Sequence, residues 1–312
     1  MIHVILAQES EIYPMAWENI FGRRAPLAVE IGFGNGAYLV NWAGKEPDWN
    51  FVGIEQSSGS VERLQKRLIQ AQIGNVRILR DDAAFALREL FPGESIDAVV
   101  MNFPDPWPKE RHSRRRLLKP SFIEVLASVL KMNTFFELVT DQFWLAEDTF
   151  QLFSESNYFR TGEIEKNPRR EIATKYERKW RRMGRDSYRI RAKKIDRSNI
   201  KRIMEDASMP HFVIKKRLTA EQIARNVGRE YSIGDSFFII KDIFTHLSGE
   251  AYLIKTITRD GDYQQKFFMF LTKYKSDWLL KLDDTNRPYR TKAVKLAVRK
   301  TGEVLSGSGN ML

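Results

Sequence analysis

Leu27-Ala28-Val29-Glu30-Ile31-Gly32-Phe33-Gly34-Asn35-Gly36 decides the reading of this chain: a short apolar run stops at three glycines spaced by single residues. The run reads as a buried strand, and the glycines as a turn that admits positive φ and lets a ligand touch the backbone where the next helix begins. Working outward, apolar runs recur at Phe51–Ile54, Val76–Leu79, Ile96–Met101 and Phe135–Val139, with segments of helical periodicity between them. Strand–helix alternation of this kind predicts an α/β fold, a mainly parallel Rossmann-like sheet with helices on both faces. Ligands bind such sheets beyond the carboxyl ends of the strands, near the point where strand order reverses. The residues that follow each strand are therefore the candidates for function.

Gly32, Gly34 and Gly36 alone do not choose between a dinucleotide and S-adenosylmethionine, because both use such turns. Glu55 closes the second strand about 20 residues later, placed to accept the hydroxyls of an adenosine ribose, a feature that dehydrogenases share. The third strand leads into Asp81-Asp82-Ala83. Asp82 there fits either the adenine side of a methyltransferase cofactor or a helix cap. The fourth leads into Asn102-Phe103-Pro104-Asp105-Pro106-Trp107-Pro108, whose three prolines stiffen a loop beside the cofactor. A turn that merely protected a strand end would not require Asn102, Asp105 and Trp107 at set places. Amino-group methyltransferases carry a comparable Asn-Pro-Pro-aromatic loop.

Lys109, Arg111, His112, Arg114, Arg115 and Arg116 continue that loop as a cationic run. It suits phosphate contacts, against the plainer alternative of a solvated charged surface. Thr140-Asp141 follows the fifth strand, and Thr174-Lys175-Tyr176-Glu177 sits within the basic run Lys166–Asp186; either segment also reads as capping.

A chain of 312 residues suggests two domains, and the charged stretch Lys193–Lys201, read as a linker, puts the boundary near residue 200, giving 1–199 and 200–312. The second domain reads as a small antiparallel sheet over Phe237–Ile243, Ala251–Ile257, Lys266–Leu271 and Trp278–Leu282, with a hairpin turn at Arg259-Asp260-Gly261-Asp262. Ser306 to Asn310 have the composition of a mobile linker. The formal charge of +11 favours a polyanionic partner, and residues 200–312 hold 20 Lys and Arg against 13 Asp and Glu. With no cysteine and four scattered histidines, no metal is expected. No apolar run approaches the roughly 20 residues of a membrane span and the N-terminus lacks a signal-peptide pattern, so the expected location is cytoplasmic, away from membranes.

Taken in order and spacing, EIGFGNG, GIE, NFPDPWPKERHSRRR, TDQF and TKYERKW resemble the bacterial tRNA (guanine-N7)-methyltransferase family, over roughly residues 26–195. The resemblance implies a seven-stranded class I methyltransferase sheet, with S-adenosylmethionine as cofactor and tRNA as partner. It implies cofactor contacts from Glu30, Gly32, Gly34, Gly36, Glu55, Asp82, Ala83 and Asn102. Asp105 would stand at the reaction centre, with Lys109, Asp141 and Thr174 to Glu177 at the substrate, a variable-loop guanosine at position 46. Glu110 departs from the second lysine that many members carry, which removes one cation. Nothing in the family core resembles the segment after residue 200, whose charge and aromatics suit either tRNA contact or a stabilising appendage. Methylation of another RNA or DNA acceptor, and an idle RNA-binding protein on the same fold, are the competing readings.

Overall fold

The computed structural model describes residues 3–108, 116–172, 177, 182–285 and 287–308. The chain divides into two units, Met1–Ala7 with Pro14–Lys201, and Gln8–Tyr13 with Arg202–Leu312.

In the first unit the elements run β1 (Val4–Ile5), α1 (Trp17–Phe21), β2 (Leu27–Ile31), α2 (Ala37–Lys45), β3 (Asn50–Ile54), α3 (Ser58–Gln70), β4 (Val76–Leu79) and α4 (Ala83–Leu90). They continue with β5 (Ile96–Asn102), α5 (Pro120–Val129), β6 (Leu130–Thr140), α6 (Phe143–Ser154), β7 (Phe159–Thr161), β8 (Glu165–Lys166) and β9 (Tyr188–Lys194). Seven of these strands form the expected sheet in the order β4-β3-β2-β5-β6-β9-β7, and two-residue strands add to it, β1 beside β4 and β8 beside β9. From β4 through β6 the strands are parallel, whereas β9 lies antiparallel between β6 and β7.

Every residue of β2 and β3 is buried, as a parallel strand covered on both faces requires. Ala28, Phe51, Ile78 and Ala98 pack with Leu39 of α2 and Leu64 and Leu68 of α3. Val29, Val52 and Val99 point to the opposite face and are equally buried, so both faces are covered. The strand order reverses between β2 and β5, which places the switch point at Ile31 and Met101.

Two expectations need correction here. Lys193 and Lys194 do not open a linker: they are the last residues of β9. The Lys194 ammonium is fully buried and donates to the Leu130 carbonyl at 2.6 Å, with Glu94 at 3.3 Å, so its stem packs like an apolar residue while its charge is satisfied.

The second unit contains β10 (His211–Ile214), α7 (Ala220–Ala224), β11 (Glu230–Ile233), β12 (Ser236–Thr245), β13 (Ala251–Asp260), β14 (Tyr263–Tyr274), β15 (Asp277–Leu282) and α8 (Lys292–Ser306). Its sheet is antiparallel in the order β10-β15-β14-β13-β12-β11. Asp260 pairs with Tyr263 across the hairpin, and Gly261 supplies the left-handed residue that the turn needs, φ 58°. One face packs Phe238, Ile254, Phe267, Met269 and Leu280 against Val294, Ala297, Val298 and Leu305 of α8. Ser306 ends α8, Gly307 caps it at φ 79°, and Ser308 donates to the Glu303 carbonyl at 3.1 Å. These three residues are a helix cap rather than a linker, while Gly309 and Asn310 lie outside the described residues.

Residues 8–13 belong with this unit through Arg290, a side chain 5% exposed. Its guanidinium donates to the carbonyls of Gln8 at 2.8 Å and Ser10 at 2.5 Å and lies over the Tyr13 ring at 5.7 Å.

Candidate active site

The carboxyl ends of β2, β3, β4, β5 and β6 carry the expected residues, and the first of them is the glycine turn. Gly34 holds φ 54°, and a side chain built there would meet nothing within 4 Å, so the backbone faces open space. Gly36 caps α2, and a Cβ on it would fall 2.5 Å from a methyl of Leu64, so this glycine is required for packing. Glu55 locks the turn to the neighbouring strand: it accepts from the Gly34 amide at 3.2 Å and from the amides of Gln56 and Ser57 at 2.9 and 3.1 Å.

Glu30 is 1% exposed. One carboxylate oxygen accepts from Asn102 Nδ2 at 3.0 Å, whereas Glu30 Oε2 and Asn102 Oδ1 are buried and have no hydrogen-bond partner. Burial pushes the Glu30 carboxyl up to about 7, with the Asn102 hydrogen bond and the Arg170 charge holding it back. Two adjacent buried oxygens without partners mark a place built for a donor. Asp82 takes the cap role: Oδ1 accepts from the Phe85 amide at 2.9 Å, Oδ2 accepts from Gln56 at 3.2 Å, and Ala83 starts α4.

The proline loop leaves β5 beside this pair. Phe103 and Trp107 hold φ 48° and 44°, a region that bulky residues enter only when their surroundings force it. Phe103 donates to the Val139 carbonyl at 2.7 Å. At the far end Arg116 donates to the carbonyls of Trp107 at 3.1 Å and Pro108 at 3.3 Å, and its guanidinium lies over the Trp144 ring at 5.0 Å. Arg116 therefore clamps the loop, a task different from the phosphate contact expected of it. Asp105 sits exposed between the two strained residues. Asp141, at the end of β6, accepts from Gln142 at 3.1 Å. Lys109, Arg111, His112, Arg114, Arg115, Thr174, Lys175 and Tyr176 lie outside the described residues.

Glu177 departs most from its expected role as a substrate contact, because it is fully buried. Arg170, 4% exposed, reaches Glu177 at 3.3 Å and Glu137 of β6 at 3.0 Å, and lies over the Tyr38 ring at 4.9 Å. Glu137 also accepts from Arg191 of β9 at 2.7 Å. Burial pushes the Tyr38 phenol above its usual range, which Arg170 partly offsets. These ties fix Arg170 and Glu177 to the sheet through Glu137. Sequence reading missed Arg170 and Glu137, although a lone Glu inside the apolar strand Phe135–Val139 is a signal that a buried cation must face it.

Among the described residues there is no group of three or more potential metal ligands. None of their helices is long and apolar enough to cross a membrane.

Residues 24–190 match a family model described as "Putative methyltransferase". A Thermotoga maritima protein named tRNA (guanine-N(7)-)-methyltransferase is 38% identical over 300 residues, covering 96% of this chain and 95% of that protein. A protein of the same name from Coprothermobacter proteolyticus is 30% identical over 301 residues, covering 94% and 90%. Another, from Yersinia enterocolitica, is 34% identical over 184 residues, covering 58% of this chain and 77% of its own length.

Proposed function

Because this chain belongs to the tRNA (guanine-N7)-methyltransferase family, we propose that it methylates N7 of the variable-loop guanosine at tRNA position 46, with Asp105 holding the base. S-adenosylmethionine is the methyl donor. The observation that carries the residue assignment is the proline loop, which raises Asp105 between two strained residues directly after Asn102 and its partner Glu30.

The residues fit this donor. The unpartnered Glu30 Oε2 and Asn102 Oδ1 suit a cationic, hydrogen-bond-donating group, and the space over Gly32 and Gly34 is open. Glu55, at the end of the adjacent strand, suits the ribose hydroxyls, and Ala83 with the capping Asp82 suits the adenine side. When bound, the donor supplies a methyl on a positively charged sulfur.

Guanine N7 has a free lone pair, so no proton must leave before it attacks, and the protein's task is positioning. Asp105 accepts hydrogen bonds from the guanine N1 and N2 groups and favours the positive charge that the purine gains. Asp141, on the neighbouring strand end, shares the substrate side. Arg116 keeps the loop in shape, while Lys109, Arg111, His112, Arg114 and Arg115 contact tRNA phosphates. Replacing Arg114 and Arg115 by Gln should therefore raise the tRNA dissociation constant and flatten its salt dependence by about one to two units of slope, leaving turnover at saturation intact. An unaltered slope would make them plain surface charge.

Donor binding should also depend on pH. A cationic amino group needs Glu30 ionised, yet its carboxyl is raised to about 7, so below that pH binding must expel a proton. Calorimetry should find affinity rising about tenfold per pH unit up to neutrality and levelling above it, and Glu30→Gln should abolish the slope. Without donor the sign reverses. The raised Glu30 contributes stability that is complete below the ordinary carboxyl range and lost as pH climbs through about 7.

Incubating the protein with unmodified tRNA and labelled donor, then identifying the methylated nucleoside by mass spectrometry, tests the whole reading. Finding 7-methylguanosine supports it, and any other methylated nucleoside overturns the substrate.

A further inference from the structure

We infer that the sheet face of the second unit turned away from α8 binds RNA, taking phosphates on Arg259, Lys255 and Lys281 and unstacked bases on the phenylalanines paired with them. The inference rests on tRNA being the substrate, and extends it to a surface outside the cofactor-binding sheet.

Register assigns the two faces. Residues 252, 254, 267, 269, 278 and 280 form the core against α8, so their neighbours along each strand face the other way. On that other face each of three half-buried phenylalanines has a cation as its direct cross-strand partner: Phe237 opposite Arg259, Phe268 opposite Lys255, and Phe270 opposite Lys281. The Arg259 guanidinium already lies over the Phe237 ring at 5.4 Å. Carboxylates on this face are Glu230 on the edge strand, Asp242 across from Lys255, and Asp277 at the start of β15, and Asp284 after β15 pairs with the Lys281 ammonium at 3.3 Å, an exposed contact that a phosphate can replace. Lys266 adds a further cation opposite Ile257, which leaves the middle strands β13 to β15 cationic.

The pairing decides between occupants. The face also carries aliphatic residues, Ile239 opposite Ile257 and Val213 opposite Leu279, but interface cores are depleted in lysine, and Lys255, Lys266 and Lys281 stand among them. Alternating rings and cations instead suit a single-stranded or looped nucleic acid, whose bases stack on the rings while its backbone meets the charges.

The test uses the full chain and tRNA, read by fluorescence anisotropy over a range of salt. The triple variant Lys255→Gln, Arg259→Gln, Lys281→Gln should weaken binding by about tenfold or more and cut the salt slope by about two to three units. Lys215→Gln, Lys216→Gln, Arg217→Gln removes the same charge from the exposed segment after β10 and should change affinity less than about threefold. Phe268→Ser should weaken binding by about fivefold to a hundredfold with the slope kept. Circular dichroism and thermal melting confirm that each variant is folded. Equal losses in the two triple variants, or none in the first, would overturn the inference. So would intact tRNA binding with a smaller assembly by light scattering, which would assign the face to a second copy. Binding is read without methyl transfer, so failure to form 7-methylguanosine would refute the enzymatic reading separately.

Discussion

Asp105→Asn is expected to lower turnover on saturating tRNA by about a hundredfold to a thousandfold, the cost of removing one charge-stabilising partner at a reaction centre. Asparagine matches aspartate in shape, so the loop held by the Phe103 amide and by Arg116 keeps its form. What disappears is the negative charge facing a purine that becomes cationic. Single-turnover methyl transfer measures the loss, and calorimetry with S-adenosylmethionine should find donor affinity within about twofold of the parent, because Glu30, Glu55 and Asn102 are untouched. Parental turnover would remove Asp105 from the reaction centre. A parallel collapse of donor binding would mean that the loop belongs to the cofactor.

Arg170→Met should cost more in stability than any surface change. It leaves Glu137 and Glu177 buried without their shared cation, and breaking a buried ion pair from one side costs about 3–5 kcal/mol, or roughly 6–20 °C of melting temperature for a unit of this size. Arg170→Lys keeps the charge but not the fork that spans two carboxylates, and should recover only a small part. Because Arg170 and Glu177 stand on either side of Thr174 to Tyr176 in sequence, the lysine variant, assayed well below its melting temperature, should raise KM for tRNA while donor affinity stays constant. A melting temperature within about 2 °C of the parent for Arg170→Met would show that the network is not a structural anchor.

Much of this was legible beforehand, for a physical reason. Strands buried on both faces are nearly continuous in apolar residues, so Leu27–Ile31 and Val76–Leu79 read with their final bounds despite Glu30 and Arg77 within them. Ligands bind beyond the carboxyl ends of such strands, so Glu55, Asp82 and Asn102 become candidates by position alone. Less legible were elements whose burial alternates with charge. The end of β9 buries Lys194 beside the exposed Lys193 and so resembles a linker, and α8 interleaves Val294, Ala297 and Val298 with Lys292, Lys295 and Arg299 and so resembles polar surface. Least legible was the Glu137–Arg170–Glu177 network, because Arg170 and Glu137 are 33 residues apart and nothing local links them.

The hold of Arg290 on Gln8 and Ser10 also sets an order of events at the ribosome. The carbonyls it grips are made first, and the guanidinium follows 282 residues after Gln8. At roughly 5–20 residues per second, the nascent hexapeptide waits about a quarter of a minute to a minute for its partner. The first unit can form its sheet in that interval, but the second cannot close until Arg290 has been made, and a fragment beginning at Arg202 would bury Arg290 with both of its carbonyls missing.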